Sequence, residues 1–510
     1  MNKDKLLASP FFIVSLCAGC SLSGDTALDS PATVTQASSP ANVVIRNQST
    51  DFGDVSGIFG GGRPAIMPGD LDGDGYGDMV VVEGFCAHII YGAATLPHTL
   101  DTANTATLVG SSEMQDSCGG RDLSANHTPA VQADWLGLVA AGDVDRDGFA
   151  DFLVFFDGKN DMYESTATVH LVGSYLVYGG PTRLAGRHLL AETSAAFFAN
   201  AYAPTGLGDV NGDGFADIGA LDAGPYMPDT AAGTVAVFFG SATRFTGEVP
   251  LDQAGARLSI PAGYQFGRGL HSAGDLNGDG YADFLVGKAN ADAPYNCDQS
   301  VTRVWIVLGG TGVVGALSLD TMPFIEGKIA GQYSDYAVPL GDLDGDGFDD
   351  LAVSTCHNPG QTDDPGSDTN ILFGRPDLST LQGPWDVTFP NTTALVSADV
   401  DGDGIRDLIM ANPYANNGNG VVYIRRGTGA RVSGSIDPNL GSLAIPSAYR
   451  EFFGLWLIVG SDVDKDGLAD ILVGADVATD ANGDPINDPL ISTGHAYLLR
   501  GAAIKASLSP

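Results

Sequence analysis

Positive charge is what this sequence has least of. Only 24 of its 510 residues are Lys or Arg, against 62 Asp and Glu, and the formal net charge is -38. Phosphate backbones and anionic lipid headgroups are held by basic surfaces, so this balance excludes nucleic acid as a partner and electrostatic docking on a membrane. Cysteine is scarce too, at six residues, and the four beyond residue 20 show no CxxC metal spacing. Past the first twenty residues no hydrophobic run is long and unbroken enough to span a bilayer. HExxH, GxSxG and GxxxxGK[ST] are all missing, and the eight His are scattered. The chain therefore reads as a non-enzyme. The alternative is a polysaccharide-active enzyme, since that chemistry needs only two carboxylates at the right separation. Disorder is excluded, because 44% of residues are hydrophobic and only 17% are charged.

The N-terminus reads as an address. Lys3 and Lys5 precede an apolar run from Leu6 to Ala18, the length of a signal-peptide core. The run ends in Leu16-Cys17-Ala18-Gly19-Cys20, which resembles a bacterial lipobox with Cys17 in place of the usual apolar residue. Residues 1–19 are expected to be a lipoprotein-type signal, with Cys20 the lipidated residue. Residues 20–41 are small, polar and Pro-containing and read as a flexible tether. The expected location is the cell envelope, as an outer-membrane lipoprotein, or otherwise secreted. The only membrane contact expected is through the lipid.

The carboxylates are not spread evenly. A nine-residue pattern, D-x-[DN]-x-D-G-x-x-D, occurs seven times, starting at Asp70, Asp143, Asp209, Asp275, Asp342, Asp399 and Asp462. The four ligand positions of these loops hold 26 of the 62 acidic residues. Calcium takes six to eight oxygens at about 2.3–2.6 Å, and alternate side chains of a tight loop can converge on one ion. The expected side-chain ligands are Asp70, Asp72, Asp74 and Asp78; Asp143, Asp145, Asp147 and Asp151; Asp209, Asn211, Asp213 and Asp217; and Asp275, Asn277, Asp279 and Asp283. The set continues with Asp342, Asp344, Asp346 and Asp350; Asp399, Asp401, Asp403 and Asp407; and Asp462, Asp464, Asp466 and Asp470. Position 7 is expected to add a backbone carbonyl, from Tyr76, Phe149, Phe215, Tyr281, Phe348, Ile405 and Leu468. Position 6 is Gly in every copy, as a sharp turn with positive φ requires. Position 12, a Glu in an EF-hand, is here apolar (Val81, Val154, Ala220, Val286, Val353, Met410 and Val473), so the chain leaves the loop into a strand. Up to seven Ca2+ ions are expected, and calcium should raise the melting temperature.

Each copy lies between β-like runs. Met79–Val82, Phe152–Val154, Phe284–Val286 and Ile471–Val473 follow the acidic loop. A third run then ends in Gly, seven times over, as in Ile89-Ile90-Tyr91-Gly92 and Leu176-Val177-Tyr178-Gly179. A weaker fourth run follows, such as Thr107–Val109 or Arg187–Leu190, and no helical period stands out. Four-stranded units repeated seven times define an all-β fold, a seven-bladed β-propeller of antiparallel blades with a calcium loop between strands 1 and 2. Residues 42–510 make one domain in this reading. The β-like segment Asn42–Arg46 is expected to serve as the outer strand of blade 7 and close the ring.

The acidic loop, the apolar strand after it and the V-x-V-F-x-G strand together resemble the FG-GAP repeat of the integrin α-chain propeller and its bacterial relatives. Phe266-Gly267 and Phe453-Gly454 keep the naming dipeptide, while other blades depart from it. The resemblance implies calcium in the strand 1–2 loops and ligand binding on the opposite face. That face gathers the long 2–3 and 4–1 connections, with Tyr163, Tyr226, Tyr295 and Tyr414 among them. Cys86, Cys297 and Cys356 are expected in 2–3 loops and Cys118 in the 109–135 insertion, paired as disulfides in an oxidising compartment. Three pairings are open, and neighbourhood favours Cys86–Cys118 and Cys297–Cys356. The expected function is a monomeric binding or adhesion module for a protein or glycan, with a purely structural envelope role as a further alternative.

Overall fold

The computed structural model describes residues 43–46, 65–83, 86–96, 99–101, 105–109, 135–157, 173–222, 233–261, 269–287, 302–327, 337–356, 367–378, 385–447, 451–478 and 492–508. Seven sheets stand in sequence order. Blade 1 is built of Ala65–Gly69, Asp78–Glu83, Cys86–Ile90 and Ala106–Val109. Blade 2 has Trp135–Gly142, Asp151–Asp157, Gly173–Val177 and Ala196–Ala199. Blade 3 has Ala201–Gly208, Asp217–Asp222, Thr234–Phe238 and Ala256–Ser259. Blade 4 has Gly269–Gly274, Asp283–Gly287, Thr302–Val307 and Phe324–Gly327. Blade 5 has Ala337–Gly341, Asp350–Cys356, Ser367–Leu372 and Val387–Phe389. Blade 6 has Ala394–Ala398, Asp407–Asn412, Val421–Arg425 and Leu443–Pro446. Blade 7 has Leu457–Val459, Ile471–Ala478 and Ser492–Leu499.

The outer strand of blade 7 is Val43–Arg46, antiparallel to the third strand, with Val43 opposite Leu498 and Ile45 opposite Ala496. The ring thus closes with the start of the chain laid against its end, as the sequence led us to expect. First strands contact first strands from blade to blade all the way round. They enclose a cavity of about 220 Å³ lined by residues of six blades, among them Ile66, Leu138, Thr205, Leu270, Pro339 and Ile458. The apolar core lies between adjacent sheets. Val80, Leu108, Phe152 and Val154 pack the joint of blades 1 and 2, and Ile409, Val422, Ile471 and Val473 that of blades 6 and 7. Strand 2 is buried on both faces, which is why its sequence is a continuous apolar run without alternation.

Four features differ from the sequence reading. Five blades carry a fifth, parallel edge strand donated by the next blade: Thr99–Asp101, Arg187–Leu189, Gly247–Pro250, Gly315–Ser318 and Gly434–Ser435. Arg187–Leu189 is one of these, paired with Thr107–Val109 of blade 1, and blade 2's own fourth strand is Ala196–Ala199. A period-2 run cannot say which sheet edge it joins, because both readings leave one face buried. Short helices also form, at Leu190–Thr193, Ala415–Gly418 and Gly501–Leu508. The last follows the closing Gly of blade 7; its Ala-rich stretch favours helix, and Ile504 anchors it in the core. Finally, Cys86 opens a third strand and Cys356 ends a second strand, so neither sits in a loop. Cys118, Cys297, residues 1–42 including Cys20, and most of the 2–3 and 4–1 connections lie outside the described residues.

Candidate metal centres

All seven acidic loops join strand 1 to strand 2, and their geometry repeats. The first Asp folds the loop around itself. In blade 3, Asp209 Oδ1 accepts from the N–H groups of Gly212 (2.7 Å) and Asp213 (3.1 Å), and Oδ2 accepts from Gly214 N–H (2.7 Å). The Gly at position 6 has φ between 84° and 91° in every copy. The left-handed region at that point is costly for a side chain bearing Cβ. The third and fifth side chains cap the loop's remaining N–H groups, as Asn211 Oδ1 does for Asp213 (2.8 Å) and Asp213 Oδ1 for Phe215 (3.0 Å).

The ninth position does something the sequence did not disclose. Asp78, Asp151, Asp217, Asp283, Asp350, Asp407 and Asp470 are each fully buried. One carboxylate oxygen accepts from the N–H of loop position 2, and the other from the N–H of the Gly that ends strand 3. The same pair recurs in blades 4 to 7 at 2.8–3.1 Å. This clamp explains the recurrent Gly after strand 3. A Cβ on Gly240 would run into the carbonyl oxygen of Ala216, and the equivalent holds at Gly92 against Gly77 and Gly374 against Asp349. Burial pushes the carboxyls of Asp78, Asp151, Asp217, Asp283, Asp350 and Asp470 up to about 7, and Asp407 to about 6, although the two N–H groups pull the other way. A nearby cation would reverse that shift.

The loops also join blade to blade. The N–H at position 8 donates to the position 1 carbonyl of the preceding blade, as Ala150 does to Asp70 (2.9 Å), Ala216 to Asp143 (3.2 Å) and Gly77 to Asp462 (2.8 Å). The N–H just past the closing Gly donates to the position 2 carbonyl, as Gly180 does to Leu71 and Ala93 to Val463. Position 7 packs its ring on the preceding loop's position 4, so that a Cβ on Gly73 would meet Phe149 and one on Gly212 would meet Tyr281. Where position 4 is basic the contact becomes cation–π, with Lys465 5.2 Å from the Tyr76 ring. The aromatic at position 7, read from sequence only as a carbonyl ligand, is therefore also an inter-blade contact.

In five loops three carboxylates each offer an oxygen within 4.8 Å of the others: Asp70, Asp72 and Asp78; Asp143, Asp145 and Asp151; Asp342, Asp344 and Asp350; Asp399, Asp401 and Asp407; Asp462, Asp464 and Asp470. The triads use positions 1, 3 and 9. Position 5 stands at the exposed edge, and blades 3 and 4 present an Asn amide at position 3. These all-oxygen donor sets suit a hard cation. In the blade 7 triad Asp464 Oδ1 is buried with no hydrogen-bond partner among the described residues, an acceptor a cation would satisfy. If calcium binds, these triads are the residues that would hold it, and its charge would offset the crowded carboxylates.

Sequence reasoning missed the basic side chains that contact these loops. Arg183, Arg244, Arg426, Arg431 and Arg500 each reach a loop carboxylate. The first two and Arg431 follow the closing Gly by four residues, a spacing visible in the sequence once that Gly is recognised. Of the naming dipeptides, Phe453 is fully buried and stacks edge-on to Tyr497 (5.5 Å), and Gly454 has φ of 94°. Phe266-Gly267 lies outside the described residues. Tyr414, between strands 2 and 3 of blade 6, packs on Phe452 in the connection from blade 6 to blade 7 (5.9 Å).

Fold and loops together define a seven-bladed β-propeller with an acidic loop at the same corner of every blade. The chain carries FG-GAP repeats: the family model for the FG-GAP repeat matches residues 266–307, 335–361 and 391–424, in blades 4, 5 and 6. Curated proteins similar to it are integrin α chains. Mouse (Mus musculus) integrin alpha-IIb is 33% identical over 159 residues, covering 30% of this chain and 14% of that protein. Human integrin alpha-IIb is 29% identical over 266 residues, covering 48% and 24%. Integrin alpha-V of Gallus gallus is 26% identical over 214 residues, covering 40% and 19%. The similarity spans at most 24% of these relatives' length. No helix among the described residues is long and apolar enough to cross a membrane.

Proposed function

We propose that this chain is a calcium-binding binding module, a rigid propeller that presents loops to a protein or glycan ligand on the face opposite the acidic corners. The observation that carries the reading is the sevenfold repetition of an oxygen-lined loop on a closed ring. One loop of this kind is a turn, whereas seven on one ring, five of them with three converging carboxylates, amount to a design for cations. Calcium fits better than magnesium, which prefers a smaller site and keeps its waters. The antiparallel strand order puts the 2–3 and 4–1 connections at the far end of the blades, and long loops on a rigid scaffold are where recognition sits. The likeness to integrin α chains favours a protein ligand over a glycan.

In the same reading the chain is exported, processed before Cys20, lipidated there and held at the cell envelope by the tether of residues 20–41. It acts as a monomer, without catalysis. Cys86, buried at the start of its strand and disulfide-bonded, fits an oxidising compartment. The pairings Cys86–Cys118 and Cys297–Cys356 belong to this proposal. The test is an array of envelope and matrix proteins and of glycans, probed with residues 21–510 in calcium and again in chelator. Calcium-dependent capture of a protein or glycan supports the reading. Silence on the whole array in both conditions, or capture indifferent to chelator, overturns it.

A further inference from the structure

In five of the seven loops position 3 is Asp, and its side chain is almost closed off from water: 4% exposed for Asp72 and Asp145, 3% for Asp344, 5% for Asp401 and 10% for Asp464. A carboxylate so placed needs a counter-charge. Every one has an arginine against it. In blades 1, 2 and 5 that arginine comes from the next blade. Arg183, Arg244 and Arg431 each set Nε on the position 3 carboxylate and Nη2 on the position 5 carboxylate of the preceding loop. For Arg431 the two bonds are 2.5 Å to Asp344 and 2.6 Å to Asp346. Each guanidinium also lies over the ring just before the closing Gly of that preceding blade: Tyr91 at 4.8 Å, Tyr178 at 4.6 Å and Phe373 at 4.6 Å. In blades 6 and 7 the residue before the closing Gly is itself the arginine. Arg426 reaches Asp401 (2.8 Å) and Arg500 approaches Asp464 (3.6 Å) within the same blade.

Blades 3 and 4 reverse both halves of the pattern. Position 3 is Asn211 or Asn277, and the residue four beyond the next blade's closing Gly is buried Val313 or Leu378. Among the described residues no arginine forms an ion pair with a carboxylate of either loop; Arg146 only lies over the Phe215 ring, 6.0 Å away. Instead the Asn side chain donates from Nδ2 to position 5, at 2.9 Å to Asp213 and 3.0 Å to Asp279. The oxygen it takes is the Oδ2 that the arginine Nη2 takes in blades 1, 2 and 5. Asp plus arginine and Asn without arginine are thus two solutions of one charge problem. Both leave the loop with the same net charge from its four ligand side chains and the arginine.

We propose that Arg183, Arg244 and Arg431 are built-in counter-cations that latch each of these loops to the following blade and set its affinity for a metal ion. The propeller then has three classes of loop: guarded by an arginine of the next blade in blades 1, 2 and 5, paired with an arginine of the same blade in blades 6 and 7, and unguarded in blades 3 and 4. The latch stands on the contacts described. The affinity half rests on the calcium reading above.

The test is a double-mutant cycle on the full chain in chelator, where no metal takes part. Arg183→Gln lowers the melting midpoint by leaving a closed-off carboxylate unpaired. Asp72→Asn with Arg183→Gln rebuilds the blade 3 arrangement and recovers most of that loss. Arg183→Lys, which keeps the charge but loses the fork and the ring contact, falls between. A double variant no more stable than Arg183→Gln overturns the latch. The second arm is a calcium titration by calorimetry of the variant carrying Arg183→Gln, Arg244→Gln and Arg431→Gln, with the three single variants as a check on folding. Removing a positive charge that sits on the ligand carboxylates should tighten binding of a divalent cation roughly tenfold or more. Unchanged or weaker binding overturns the affinity role. If wild type gives no heat with calcium, the calcium reading fails and takes the affinity half with it, while the chelator cycle still decides the latch.

Discussion

Replacing Asp217 with Ala tests the buried clamp. Its carboxylate accepts from Val210 N–H and Gly240 N–H, both at 2.9 Å, and the side chain is fully buried. Alanine leaves both donors in an interior site with no acceptor in reach. Each unsatisfied buried group costs about 1–3 kcal/mol, so the loss should be about 2–6 kcal/mol. Asp213, four residues earlier in the same loop, is the internal control. It is exposed, and its bonds run to Phe215 N–H and the Asn211 amide at the solvent edge, so Asp213→Ala should cost about 1 kcal/mol or less. The assay is thermal and urea unfolding of the two variants and wild type, run in chelator to take metal affinity out of the comparison. Equal losses for the two variants would refute the reasoning, because the clamp would then contribute no more than a surface turn.

Two further outcomes follow from the same geometry. In chelator, stability should fall as pH rises from about 4 to about 7, because the buried position 9 carboxyls hold protons in the folded state that the unfolded chain has already released. Their pKa values stand above the unfolded value near 3.8, so their contribution is complete below that pH and is lost through the folded value near 7. Excess calcium should raise the midpoint and flatten the slope, and a midpoint indifferent to both pH and calcium in scanning calorimetry would sink the account. Ile45→Asp should open the ring: Ile45 is fully buried opposite Ala496, and a charge there should cost at least about 3 kcal/mol in urea unfolding. A variant that unfolds like wild type would mean that Val43–Arg46 does not close blade 7.

Within a blade, most of the site could be read from spacing. The nine-residue pattern placed every acidic loop between the right two strands, and the Gly at position 6 sits at positive φ in all seven copies. Positions 1, 3 and 5 were read from the sequence only as metal ligands, and their caps on backbone N–H groups two to five residues away emerged from the structure. Position 9 was legible as a carboxylate but not as a clamp, since its second partner, the Gly ending strand 3, is 14 residues off in blade 1 and 31 in blade 7. The loop between them varies in length, so no fixed spacing marks the pair.

The sequence by itself determined the number of blades, the corner where the carboxylates gather and the closing role of residues 43–46. The first two follow from a local period repeated seven times and the third from one β-like segment ahead of the first repeat, and such local patterns survive in a linear string. The tertiary structure decided which charges face each other. Arg183 meets Asp72 across 111 residues, and Arg187–Leu189 joins the sheet of blade 1 although it stands in the chain beyond the third strand of blade 2. Those contacts exist only because the ring's curvature brings the start of one blade's outer connection against the acidic corner of the blade before it. The reason for Asn at position 3 in blades 3 and 4 lies there too, in a buried Val313 and Leu378 where the joints that blades 1, 2 and 5 make with the next blade place an arginine.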